Sequence, residues 1–468
     1  MPDKKWRHNY IPVVYEVAEL MASADQNLAL DMARAGVQAL HDVMAVAVAD
    51  EHTTDPSIIT SSSISTHRLV GSSANIMPML SKRFHLGAPR GAAGEEPAPY
   101  SHLTGQEMRD QVFAWSNYGC MEESAAVHAA EIADMEDATV LVKDKVFVLL
   151  GATSELGPFY TLSRLGATIA AVSRPGSRKM KQLIASAKSS TTCTLLLPVK
   201  HDVVASSSAN ANNGDVEAGN ASNMDNIEDR AGADLISDAP ALGRWIASLE
   251  PGKQLVIVCL AYLDGEKHVR ATLGMDIICE MVCKERKDTA LSYIVSPATA
   301  HAVSEEAFQD SQARLDQTPF WHKLFRYTGI ALKPHVSLMV QTKTGLRVLN
   351  GLASVQGPNY VLAKTFQQWR AMIARADGHV VSANHGPSTR TDSMVSHQQV
   401  AVALEGMQIV SPLVAYDREP AATLMAALML WDLNYKSSVA HPNISIDHPM
   451  SLFIENSVHG GIWRCPYR

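Results

Sequence analysis

The chain is short of aromatic residues, at 6% of its 468 positions, and has six cysteines. So few cysteines in so long a chain do not make a disulfide framework. Cys279 and Cys283 stand one turn apart in "CEMVC", with no second Cys/His pair nearby. A metal clip needs more ligands, so these read as buried thiols in a reducing, cytoplasmic compartment, and no metal is expected. No basic block stands out, and the formal net charge is -8. That balance argues against nucleic acid as a partner. The longest apolar helical run, "AATLMAALMLW" at 421–431, is too short to span a bilayer, so no membrane contact is expected. The amino terminus has no uninterrupted apolar core of a signal peptide. "HD" occurs at His41-Asp42 and His201-Asp202, but the further ligands of a metal phosphohydrolase are missing.

What is present is 46% hydrophobic residues in a pattern that changes along the chain. Residues 10–50 and 105–137 have apolar residues at three- and four-residue steps, which predicts helices. Between them, 53–100 is rich in Ser, Thr, Gly and Pro and reads as an irregular connector. From about 145, wholly apolar runs alternate with amphipathic ones: "VFVLLG", "ATIAAVSR", "CTLLLPV", "QLVIVCLAY" and "ALSYIVSP" are the strands. Strands apolar along their whole length are buried on both faces. The expectation is an α/β fold: a doubly wound parallel Rossmann sheet over 141–468, with a helical N-terminal extension over 1–140. That extension covers the sheet edge, mediates a dimer or docks a partner. A polar tract at 205–234 holds almost no large apolar residue and is expected to be a disordered insertion. A second insertion spans about 300–350 and contains helices and the strand-like "HVSLMV".

Two stretches have the chemistry. The first predicted strand runs into "GATSELG", where Gly151 and Gly157 would let the backbone approach a diphosphate at a helix start. The stretch "GPNYVLAK" holds Tyr360 and Lys364 one helical turn apart. The pair alone decides nothing, but a helix, the strand "HVVSAN" and the loop "HGPSTRT" follow it in order. The late helix "EPAATLMAALMLWDL" and "HGGIWRCPYR", which stands where a closing strand would be, complete the series.

Together these features resemble the short-chain dehydrogenase/reductase superfamily, and "ANHGPS" is similar to a strand end in ketoreductase domains. The resemblance covers about 145–465. It implies hydride transfer between a carbonyl and an alcohol, with Tyr360 as acid/base, Lys364 as its activator and Ser296 orienting the substrate oxygen. Ser354, six residues before Tyr360, is the alternative serine, and Thr299 is a spare hydroxyl. Gly151, Thr153, Ser154, Leu156, Gly157, Ser173, Arg174, Asp202, Pro387 and Thr389 would hold the cofactor. The end of the second strand, "AAVSRPGSRK", offers Ser173, Arg174, Arg178 and Lys179 but no acid, which favours NADP over NAD. Ser154 or Glu155 stands where the family has its middle glycine, and the family's relay asparagine has no match in "HVRATLGMDIICEMV". Those departures keep a second reading open, a catalytically silent dinucleotide-binding regulatory or scaffold protein. His459 in "VHGGIW" reads as a structural turn. A small carbonyl or alcohol substrate, and a homo-oligomer, complete the expectation.

Overall fold

The computed structural model describes residues 6–44, 63–71, 82–87, 102–190, 193–201, 227–320, 333–352, 356–396, 398–407 and 409–467. Its centre is a seven-stranded, mostly parallel sheet in the order β1-β4-β3-β2-β5-β6-β10. The parallel strands are β2 (Lys145–Leu150), β3 (Thr168–Val172), β4 (Thr194–His201), β5 (Gln254–Cys259), β6 (Ala290–Val295) and β10 (Val381–His385). The chain winds outward from β2 to β3 and β4, then returns to add β5, β6 and β10 on the other side. The strand order therefore reverses at β2.

The strand sequences explain why both faces are covered. Phe147 and Leu149 point into one apolar core, while Val146, Val148 and Leu150 point into the other. The first core packs α3 (Gly105–Tyr118), α4 (Glu123–Asp134), α5 (Phe159–Arg164), α6 (Arg178–Ser190) and α14 (Arg418–Asn434). The second packs α2 (Gln26–Val43), α8 (Ala239–Ala247), α9 (Glu266–Glu285) and α11 (Gly357–Ala376). Met21 and Ala22 of α1 (Trp6–Ser23) join the second core. The first 140 residues thus contribute helices to both faces of the sheet. Gly36 of α2 lies so close to α11 that a Cβ would fall 2.4 Å from the Trp369 ring.

Three expectations change. The connector at 53–100 contains a strand, β1 (Ser63–Val70), paired antiparallel with β4 at the sheet edge. Its Ile64 and Leu69 reach opposite faces, and Thr66 accepts from the Trp245 indole at 2.9 Å. Residues 202–226, which include Asp202 and most of the polar tract, lie outside the described residues. Its end does not follow the expectation: α7 (Ile227–Arg230) leads into Gly232 and Ala233, whose N–H groups bond Pro198 O and Ser173 O. The small residues Ala231 and Ala233 are buried there, which a composition argument for the whole tract overlooks. Lastly, "HGGIWRCPYR" forms no closing strand. Gly460 and Gly461 take positive φ and lead into a short 3-10 helix, Ile462–Arg464.

The second insertion is a small antiparallel sheet, β7 (Ala300–Val303), β9 (Arg347–Asn350) and β8 (Met339–Gln341), with α10 (Glu305–Asp316) beside it. "HVSLMV", expected as a strand, is a 3-10 turn at His335–Leu338 before β8. The insertion closes on itself: Ala300 pairs with Asn350, and Gly351 N–H bonds Thr299 O at 3.1 Å. A Cβ on Gly351 would sit 2.3 Å from Pro297 O, so only glycine lets the stem close this tightly. The chain leaves the sheet after Ser296 and returns to nearly the same place.

Candidate functional site

That closed stem is what brings the distant serine and tyrosine together. Ser296 follows the last residue of β6, and Tyr360 stands in the first turn of α11, 64 positions later. Helix α11 starts where Gly357 adopts φ +75° and Pro358 occupies a first-turn position that needs no N–H partner. The Tyr360 hydroxyl donates to Ser296 Oγ at 2.9 Å. Ser296 Oγ also accepts from Ala298 N–H at 3.2 Å, which leaves its own proton free to donate. Lys364, one turn further, donates to Ile294 O at 3.3 Å and to Gln367 Oε1 at 3.2 Å. Three donors on an ammonium and two partners leave one N–H to spare. Thr299 is turned away to structural work, donating to Ser296 O and accepting from Gln368. Ser354 lies outside the described residues.

Burial tunes both titratable groups. It raises the Tyr360 phenol to about 12, against the pull of the Ser296 hydrogen bond. It lowers the Lys364 ammonium to about 8. At neutral pH the tyrosine is therefore a proton donor and the lysine is still mostly charged.

Sequence reasoning missed several residues around this pair. His268, on α9, stacks 5.8 Å from the Tyr360 ring and 4.8 Å from Tyr262, which lies in "CLAYLDG" after β5. His268 is 1% exposed, and neither ring nitrogen has a hydrogen-bond partner. Burial, then the charge of Lys364, lowers it to about 3, so the imidazole is neutral. Thr272, one turn along α9, is also buried with an unpartnered hydroxyl. Asp276, a further turn along, pairs with Arg370 of α11 at 2.5 Å. The two helices thus run side by side, His268 beside Tyr360 and Asp276 beside Arg370, which sets Thr272 level with Lys364. Helical spacing at 268, 272 and 276 was the only sequence signal for this face. His41 and Glu280 lie near Asp276, but Arg370 already neutralises that carboxylate, and the group reads as an ion-pair network.

The glycine turn sits at the same carboxyl edge of the sheet, where the strand order reverses. Gly151 has φ +95° and backs onto Ala261, 2.6 Å from where its Cβ would be. Gly157 packs less closely, with Ser154 O 3.0 Å from where its Cβ would be. Thr153 and Ser173 hydroxyls lie 3.3 Å apart, joining the ends of β2 and β3. Ser154 N–H closes the turn onto Gly151 O. Leu156 turns inward to line a void of about 10 Å³ with Leu260, Ile294 and Met425, and serves the core. Arg174 is exposed and has no ion pair among the described residues. After β10, Pro387 O accepts from the buried Thr389 hydroxyl at 2.9 Å. One expectation fails here. The helix after the turn, α5, has only six residues and begins after Pro158, so no long helix dipole faces the turn.

Glu155 dominates the turn instead. Its Oε1 accepts from Lys179 Nζ at 2.7 Å, and its Oε2 accepts from Asp392 N–H at 2.8 Å with Arg418 at 3.7 Å. Burial pushes this carboxyl up, but Lys179 and Asp392 outweigh it and hold the group below the usual carboxylate range.

A larger apolar cavity of about 100 Å³ lies between α1 and α11, lined by Val13, Met21, Leu362, Trp369 and Phe453 among others. Leu362 and Trp369 are on the side of α11 opposite Tyr360, so this cavity is separate from the tyrosine site. Among the described residues no helix is long and apolar enough to cross a membrane. No family model, curated protein or solved structure matches the chain. Geometry alone therefore carries the functional reading.

Proposed function

We propose that the protein is a Rossmann-type oxidoreductase that interconverts a carbonyl and an alcohol, with NADP(H) as its cofactor. The observation that carries this is the Ser296–Tyr360 hydrogen bond of 2.9 Å with Lys364 one turn on, at the carboxyl edge of the parallel sheet. The reversal of strand order at β2 supports the doubly wound reading, since ligands of such sheets bind at that point.

The residues fit a nicotinamide dinucleotide at both ends of the site. At the tyrosine end, the buried His268 nitrogens and Thr272 hydroxyl lack hydrogen-bond partners, which a bound substrate or cofactor would supply. At the other end, Lys179, Arg418 and the Asp392 N–H form the donor set a diphosphate requires. Gly151, Thr153, Ser154 and Gly157 would carry the diphosphate turn, Ser173 and Arg174 the adenosine ribose and its phosphate, and Pro387 and Thr389 the nicotinamide side. Asp202, assigned to adenine, lies outside the described residues. When bound, the cofactor supplies or accepts the hydride. The chain does the rest. Ser296 donates its spare proton to the substrate oxygen and fixes it beside Tyr360. Tyr360 then delivers its proton as alkoxide charge develops, a role suited to a phenol that stays protonated at neutral pH. Lys364 holds positive charge one turn away and stabilises the tyrosinate left behind.

The second reading, a dinucleotide binder without turnover, is favoured by Glu155, which occupies the donors a diphosphate would use. Binding of NADPH followed by its fluorescence, then turnover across a ketone panel, separates the two. Turnover lost in Tyr360→Phe with NADPH binding retained supports the oxidoreductase. Binding with no turnover in the native protein overturns it in favour of the silent binder.

A further inference from the structure

Glu155 is an acid in the middle of a glycine turn, at the position where the turn should be open to a phosphate. Its carboxylate is only 16% exposed, and both oxygens are engaged. The three groups around it come from three separate loops: Lys179 from the first turn of α6, Asp392 N–H from the start of α12 (Asp392–Val395), and Arg418 from the start of α14. These loops follow β3, β10 and the segment leading into α14, so Glu155 ties the turn after β2 across the top of the sheet. An anion, two cations and a backbone N–H converging from separate loops make an anion seat, and this one is filled from within.

We infer that Glu155 is an internal stand-in for a diphosphate: Lys179, Arg418 and the Asp392 N–H form an anion site that a dinucleotide takes by expelling the Glu155 carboxylate. The inference rests on the dinucleotide reading above and adds the device that controls access to the site. Exchange is physically cheap. Lys179 and Arg418 are about half exposed, at 54% and 49%, and ion pairs so open to water contribute little to folding. The incoming diphosphate carries more negative charge than the carboxylate it replaces. It also finds the exposed Arg174 and Arg178 beside the seat, neither in an ion pair among the described residues. Asp392 opposes it, but that carboxylate is already held by Arg418 at 2.7 Å. Because the Asp392 N–H would pass from Glu155 to the diphosphate, the loop after β10 that bears Pro387 and Thr389 would be tied directly to the ligand. Occupancy at the diphosphate end is thereby coupled to the placement of the nicotinamide side.

The test is calorimetric titration of the full chain with inorganic pyrophosphate, ADP and NADPH, on the native protein, Glu155→Gln, Glu155→Ala and Lys179→Met, with melting curves to confirm folding. Both Glu155 variants should bind pyrophosphate and ADP about tenfold more tightly, a gain of about 1.4 kcal/mol. Lys179→Met should weaken all three ligands. Added salt should erode the gain. Unchanged or weaker pyrophosphate binding in both folded Glu155 variants overturns the inference, as does native affinity in Lys179→Met. The two proposals fail differently. Tighter pyrophosphate binding with no ketone reduction by NADPH keeps the anion seat and removes the oxidoreductase. Normal reduction with no effect of Glu155 on any ligand does the reverse.

Discussion

Two of the buried polar clusters among the described residues, one on each face of the sheet, are built to opposite rules. On the α14 side, Asp432 is 1% exposed and accepts four hydrogen bonds. They come from Ser382 and Asn384 of β10 and from Ser438 and Asn456, all between 2.7 and 2.9 Å. Every lone pair that matters is used. On the α9 and α11 side, His268 packs against Tyr360 near Lys364, with Thr272 one turn along α9, and a lysine N–H, two imidazole nitrogens and a hydroxyl are left over. A buried polar group with its partners supplied rigidifies a fold, and one without them costs stability. The satisfied cluster is structural, and the unsatisfied one is where the proposed substrate and cofactor would supply the missing partners.

Mutation should separate the two along that line. The largest effect expected is Tyr360→Phe, which removes the proton donor. Turnover should fall about 10²- to 10⁴-fold, with the melting temperature nearly unchanged. Asp432→Ala should do the opposite, leaving the chemistry intact in whatever folds while costing more than about 3 kcal/mol in urea unfolding, because four buried donors lose their acceptor. Should Asp432→Ala be mild and Tyr360→Phe disrupt the fold, the distinction drawn between the clusters collapses.

Lys364→Met sharpens the contrast further. Burial lowers this ammonium from 10.5 to about 8, so the folded state is penalised whenever the lysine is charged. Below pH 8 the variant should therefore be more stable, by up to about 3 kcal/mol, yet inactive. The advantage should shrink as pH rises above 8, because the native lysine is then neutral in the folded state. Urea midpoints at pH 7 and pH 9.5 measure it.

Gly351→Ala tests the stem that joins the site. Its Cβ would collide with Pro297 O, so the stem must open and Ser296 must move relative to Tyr360. A loss of turnover of at least about tenfold is expected, larger than the accompanying fall in stability would explain, since an ångström of misplacement is costly in catalysis. Native turnover in this variant would show that the stem does not set the serine.

In the acid range the buried groups act with opposite signs. Burial lowers His268 and His301 to about 3, so below about pH 6.5 the unfolded chain takes up protons that the folded chain refuses. Stability should fall as pH drops from there. Asp432 is raised by burial, so protonation favours its folded state and opposes the trend. Replacing His268 by Leu should flatten the slope between about pH 6.5 and 4, and it should stabilise the neutral protein by about 1 kcal/mol by removing unpaired polar atoms.

Much of the scaffold was legible in the chain. "KVFVLL" and "QLVIVC" declare strands covered on both faces because successive side chains enter different cores, and Tyr360 and Lys364 share a helix face because four residues make about one turn. These are consequences of backbone period, which acts over a few residues. By contrast, β1 was hidden in a polar connector, since "SISTHRLV" becomes a strand only when β4 offers its edge.

The sequence by itself determined the alternating α/β order, the strand cores and the tyrosine–lysine helix, because local periodicity and burial pattern suffice for each. Tertiary structure alone brought Ser296 into hydrogen-bond contact with Tyr360, since the insertion closes on a stem whose two ends meet at Gly351. It also decided that His268 and Thr272 face the site without partners, and that Glu155 is held by Lys179, Arg418 and Asp392. Each of these depends on contacts between segments tens to hundreds of residues apart, which no local pattern encodes.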